Sequence, residues 1–105
     1  MNDFLNELYR TLLSRKGADA HTSYTASLYA KGTAKIAQKV GEEAVETVIE
    51  AMKGDKEKII SESADLLFHL LVLWADRGVT PNDVVNVLKS REGKSGIEEK
   101  NSRPS

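Results

Sequence analysis

At 105 residues the chain forms one domain, because two cores of half that length would bury too little surface to hold. It carries 15 basic and 16 acidic side chains, a net charge of −1, which excludes bulk electrostatic capture of nucleic acid. It has no cysteine, which excludes disulfides and thiolate metal sites and suits a cytoplasmic protein.

Every periodic stretch has helical period. The opening "MNDFLNELYR" lacks the basic flank and apolar core of a signal peptide. In residues 2–16, Phe4, Leu5, Leu8, Leu12 and Leu13 recur at three- and four-residue steps, making one apolar stripe, with Gly17 as a stop. Residues 18–32 are punctuated by Gly, Thr and Ser, and "TASLYAK" leaves room only for a short helix. A long helix is expected over residues 33–53, capped by Thr33 and ended by Gly54. Asp55 caps the next, which runs to about Arg77 before Gly78. That helix holds the longest apolar run, "LLFHLLVLWA", about half a membrane span, so no membrane association is expected. It is apolar nearly all round between Leu66 and Ala75, which puts it at the bundle centre or in a subunit interface. The clearest start signal follows: Thr80 as cap, Pro81 at the first helical position, Asp83 three residues after the cap, then Val84, Val85, Val87 and Leu88.

Residues 92–105, "EGKSGIEEKNSRPS", are polar and glycine-punctuated, a tail that orders on binding a ligand. The fold expected is all-α, an antiparallel bundle of four main helices plus a short one over residues 1–91, completed by dimerisation.

Within this frame the acids are out of place. "KVGEEAVE", residues 39–46, crowds Glu42, Glu43 and Glu46 around Gly41. At 100° per residue, Lys39, Glu42, Glu43, Glu46 and Glu50 fall within an arc of about 100°, with Val40, Ala44, Val45, Val48, Ala51 and Met52 on much of the other side. Each like-charged i,i+4 pair costs roughly 0.2–0.5 kcal/mol, and Gly41 about 1 kcal/mol more relative to alanine. "ESADLLFH", residues 62–69, sets Glu62, Asp65 and His69 within an arc of about 60° bordered by Ile59, Leu66, Leu70 and Leu73. Carboxylates that close to a core protonate or destabilise the fold unless cations meet them.

Packed antiparallel, Glu43-x-x-Glu46 and Glu62-x-x-Asp65 bring four carboxylates together. Hard oxygen ligands without sulfur suit Mg²⁺ or Mn²⁺. A single E-x-x-E on a helix is most often a solvated face, and for Glu42 and Glu50, beside lysines, that reading stays open. His69 more often serves as a hydrogen-bonded core residue than as a ligand, and Phe68 and Trp74 belong to the core. A di-iron bundle would want Glu-x-x-His on two helices, where this chain has Glu46 and Asp65.

These blocks carry a resemblance. "KVGEEAVE" followed by "ESADLLFHLLVL" resembles the all-α nucleoside triphosphate pyrophosphohydrolases of the MazG-like superfamily, whose pattern is E-x-x-E, a spacer, then E-x-x-D. With "SYTASLYAKGTAKIAQKVGEEAVE", "ADLLFHLLVL" and "SGIEEKNSR", the whole chain is similar to the phosphoribosyl-ATP pyrophosphatase family of histidine biosynthesis. Asn101 departs from the small residue expected in the tail.

The resemblance implies a helical homodimer, Mg²⁺ dependence, and hydrolysis of phosphoribosyl-ATP to phosphoribosyl-AMP and pyrophosphate. It implies metal binding by Glu43, Glu46, Glu62 and Asp65. Glu42 or Glu46 would serve as base towards the attacking water, and Lys39 would meet a phosphate. Lys35, Arg91 and Lys94 are further candidate phosphate contacts, and His69 would stand behind the acids. Two alternatives remain at this stage: a house-cleaning pyrophosphatase with the same metal site, and a non-catalytic helical adaptor whose acidic face binds a basic partner.

Overall fold

Capping residues divide the chain, and the computed structural model, which describes residues 3–92, follows them closely. Its elements are α1 Asp3–Ser14, α2 Tyr24–Lys31, α3 Thr33–Lys53, α4 Lys56–Arg77 and α5 Pro81–Arg91. This is the expected all-α architecture, four main helices and a short one. Beyond Glu92 the polar tail, with Lys94, lies outside the described residues.

Each boundary has a local cause. The Ala26 N–H donates to Ser23 Oγ at 3.1 Å to start α2, and the Lys58 N–H donates to Asp55 Oδ1 at 3.2 Å to start α4. At α5 a full capping box forms: the Asp83 N–H donates to Thr80 Oγ1 at 3.1 Å, and the Thr80 N–H donates to Asp83 Oδ2 at 2.9 Å. Gly54 ends α3 in the left-handed region, φ 73°, its N–H donating to the carbonyls of Glu50 and Ala51.

The start of α3 differs from expectation. Gly32, not Thr33, is the cap. The chain turns there through φ 97°, which a side chain would resist, so glycine takes the cap position and Thr33 becomes the first helical residue. The Thr33 hydroxyl donates instead to Asp76 Oδ2 of α4 at 2.6 Å.

Only Gly54 and Asp55 separate α3 from α4, so the two fold back as a hairpin and form the most extensive helix pair. Helix α1 packs on α4 and more lightly on α5, while α2 lies on α3. The core joins Tyr9 and Leu12 of α1, Leu28 of α2, Ile36 of α3, and Leu71, Val72 and Ala75 of α4, with Phe68 and Trp74 packed against it. Two tyrosines tie its edges: Tyr9 Oη donates to the Val79 carbonyl at 2.8 Å, and Tyr29 Oη to the Leu12 carbonyl at 2.9 Å.

The core occupies the C-terminal half of α4, as its apolar circumference predicts. On α3 the polarity is reversed from that of an ordinary amphipathic helix. Glu43 and Glu50 are buried, while Val45, Val48, Ile49 and Met52 are exposed, Met52 at 83%.

Replacing Leu71, fully enclosed, by alanine should lower the free energy of unfolding by about 2–5 kcal/mol, against about 1 kcal/mol for Thr80→Ala, both read from urea unfolding curves.

Candidate functional site

The hairpin turns the two acidic stretches towards each other. Glu43, Glu62 and Asp65 each present a carboxylate oxygen, and these atoms lie within 4.8 Å of one another. Glu46 joins from the next turn of α3, its carboxylate within hydrogen-bonding reach of Glu62. Of the four acids expected to converge, Glu43, Glu62 and Asp65 meet in one cluster, and Glu46 stands beside Glu62 rather than within that cluster.

Their surroundings differ. Glu43 is 8% exposed and Glu62 half-buried, whereas Asp65 and Glu46 are exposed. The core-side location expected for the α4 acids thus holds for Glu62 and not for Asp65, because Asp65 stands at the rim where α1 and α4 part.

The local electrostatics are unfavourable within the chain itself. Glu43 has one cation near it, Lys39 Nζ, 3.7 Å from Oε1. Among the described residues, Glu43 Oε2 and Glu62 Oε2 are shut off from water and meet no hydrogen-bond donor. Carboxylates facing carboxylates have nothing to donate unless one of them holds a proton. The Glu62 carboxyl is accordingly pushed from 4.5 up to about 7 by its hydrogen bond with Glu46, by burial, by the charge of Glu46, and then by Glu43. Oxygen-only donors in a tight group, two of them orphaned, fit a hard divalent cation, which would supply the missing positive partner.

The remaining predicted residues are distributed as follows. Glu42 is half-buried and accepts from Gln38 Nε2 at 3.3 Å. Lys35, Lys39 and Glu43 succeed one another at four-residue steps, so a basic stripe on α3 leads to the acids. Arg91 ends α5 and lines grooves formed by that helix and Val79, which none of the four acids lines. His69 is buried, one turn beyond Asp65. Its Nδ1 lies 2.7 Å from the Asp65 carbonyl and its Nε2 2.8 Å from Tyr24 Oη. A carbonyl only accepts, so Nδ1 carries the proton and Tyr24 donates to Nε2.

Tyr24 is a residue that sequence reasoning missed; nothing in a helix-period reading joins residues 24 and 69. Glu50 was read as beside lysine, and Lys53 Nζ is indeed 3.6 Å away, yet it is only 9% exposed. Its place two turns after Glu43 on the same stripe was the available signal.

An all-helical domain with opposed acidic turns in one hairpin defines the class of protein. Residues 5–92 match the phosphoribosyl-ATP pyrophosphohydrolase family. A protein of Azospirillum brasilense named phosphoribosyl-ATP pyrophosphatase is 66% identical over 96% of this chain and 91% of its own length. Proteins of the same name from Paracoccus denitrificans (strain Pd 1222) and Rhizorhabdus wittichii are 62% and 56% identical, the first over 94% of this chain and 92% of its own length, the second over 99% and 98%. The chain belongs to the phosphoribosyl-ATP pyrophosphohydrolase family.

The raised Glu62 carboxyl has a signed consequence. Its folded value lies above its unfolded one, so the native state binds the extra proton between them; stability from this group is present below about 4.5 and lost as pH rises through about 7. In chelator, the melting temperature should fall between pH 5 and pH 8, and Glu62→Gln should flatten that fall.

Proposed function

We propose that this chain hydrolyses phosphoribosyl-ATP to phosphoribosyl-AMP and pyrophosphate, a step of histidine biosynthesis, as a cytoplasmic homodimer using Mg²⁺ or Mn²⁺. The observation that carries the reading is the convergence of carboxylates from α3 and α4 with two buried oxygens lacking a donor, in a chain that matches the family over residues 5–92. The names of its relatives supply the substrate.

Glu43, Glu62 and Asp65, with Glu46 beside them, are the residues that would hold the cation. When bound, such an ion neutralises polyphosphate charge and polarises the phosphoryl group. Lys39 and, one turn earlier, Lys35 offer ammonium groups to the same polyphosphate, and Lys39 is already at the cluster's edge. Arg91, whose grooves do not include the acids, and Lys94, outside the described residues, would be at most outer phosphate contacts.

The reaction breaks the bond between the α-phosphorus and the oxygen bridging to the β-phosphorus. Water oxygen forms the new bond to the α-phosphorus, pyrophosphate departs with the bridging electrons, and the water proton passes to a carboxylate. Glu46, exposed beside Glu62, and Glu42, oriented by Gln38, are the two carboxylates suited to receive it. His69 acts from behind: bonded to the Asp65 carbonyl and to Tyr24, it fixes the turn that carries Asp65.

The outward stripe of Val45, Val48, Ile49 and Met52 supports the dimer. A second copy seated on α3 would remove it from water, at roughly 25 cal/mol per Å² of apolar surface covered. Gly41 opens onto the same side, where an added Cβ would meet nothing of its own chain. Its helix-weakening cost therefore serves a neighbour or ligand rather than internal packing.

Glu46→Gln and Asp65→Asn should each abolish pyrophosphate release from phosphoribosyl-ATP while leaving the far-ultraviolet circular dichroism unchanged. Full activity in either removes the assignment. Val48→Asp, a charge on a residue that is 61% exposed in the single chain, should leave that chain folded and shift sedimentation from dimer to monomer.

A further inference from the structure

A groove of about 330 Å³ runs between α1 and α4 on the side where Asp65 is exposed. Its walls include Phe4 and Leu8 of α1 and Leu67 and Phe68 of α4, and Asp65 is its one charged lining residue among the described residues. Because Asp65 also belongs to the carboxylate trio, the groove and the acids share a boundary.

The aromatic wall is held in place. Tyr24 stacks on Phe68 with ring centroids 6.3 Å apart and planes at 25°, and His69 meets Phe68 edge-on at 5.3 Å. The Tyr24–His69 hydrogen bond locks these backing rings together, so the Phe68 plane is fixed. Phe4 is 63% exposed, so its ring is open to a ligand in the groove.

We propose that this groove seats the purine base of the nucleotide substrate, with Phe4 and Phe68 contacting its faces. The inference rests on the hydrolase reading above and names where that site's substrate goes beyond its phosphates. A polyphosphate held at the acids must lead the rest of the molecule away from them, and the groove is an apolar path that begins at one of those acids. Flat bases bind aromatic rings because both offer polarisable π-faces. A second copy is the weaker occupant. Covering the groove with protein would strip water from the exposed Asp65 carboxylate, and the outward apolar stripe of α3 does not line it.

Two variants test it. Phe4→Ala removes an exposed ring, and Phe68→Leu keeps bulk beside the core while removing the plane. Inorganic tripolyphosphate with Mg²⁺ is the probe that carries phosphates and no base. Each variant should raise KM for phosphoribosyl-ATP about fivefold or more, with kcat within about twofold and the inhibition constant of tripolyphosphate unchanged. Unchanged KM in both variants, or an equal loss of tripolyphosphate binding, overturns the base seat while leaving the hydrolase reading intact. So does a shift of Phe4→Ala from dimer to monomer in sedimentation, which would give the groove to a second copy. Wild-type protein that neither releases pyrophosphate from phosphoribosyl-ATP nor binds tripolyphosphate ends the parent reading and this inference with it.

Discussion

Like charges forced together between α3 and α4 set the terms for the rest of the molecule. Glu43 and Glu62 each keep an oxygen away from water with no donor among the described residues to meet it, and Glu62 responds by holding its proton towards neutrality. A helix pair left to local preference would separate these residues. They stay opposed because the hairpin link and the distant core over-determine where the helices lie. Strain of this kind persists at sites whose ligand relieves it.

The division of α4 makes this affordable. Its C-terminal half supplies Leu71, Val72 and Ala75 to a core shared with Tyr9, Leu12, Leu28 and Ile36, while its N-terminal half supplies Glu62 and Asp65 to the acidic gap. His69 stands where the two halves meet, buried like a core residue and hydrogen-bonded towards the acids. Core residues and clustered acids thus lie along one helix, so that core packing fixes the azimuth of the acids as well.

Much of this was legible in the sequence because it is local. Thr80, Pro81 and Asp83 encode the start of α5 within four residues, and Gly54, Asp55 and Gly78 mark their boundaries through backbone conformation or capping. The acid spacing disclosed the carboxylate cluster because carboxylates within an apolar helix are a conflict visible without coordinates. What was not legible is pairwise and distant. A hydroxyl suits a cap and so points to Thr33, but the turn at Gly32 needs a positive φ, and the partner of the Thr33 hydroxyl, Asp76, belongs to another helix. Periodicity showed that α3 has an acidic side and an apolar side without saying which turns inwards. The Tyr24–His69 bond could not be read for the same reason: it depends on how α2 lies beside α4.

The link of Gly54 and Asp55 is capped from both directions and has no slack. Glu46 and Glu62 stand at nearly equal lengths of chain from it, so their meeting is a matter of matched arms. A residue gained or lost in either arm would slide one acidic turn about 1.5 Å along its axis and swing it about 100° around it. The register of the two acidic turns therefore depends on the length of this stretch, and the hairpin works as a ruler whose markings are the opposed carboxylates.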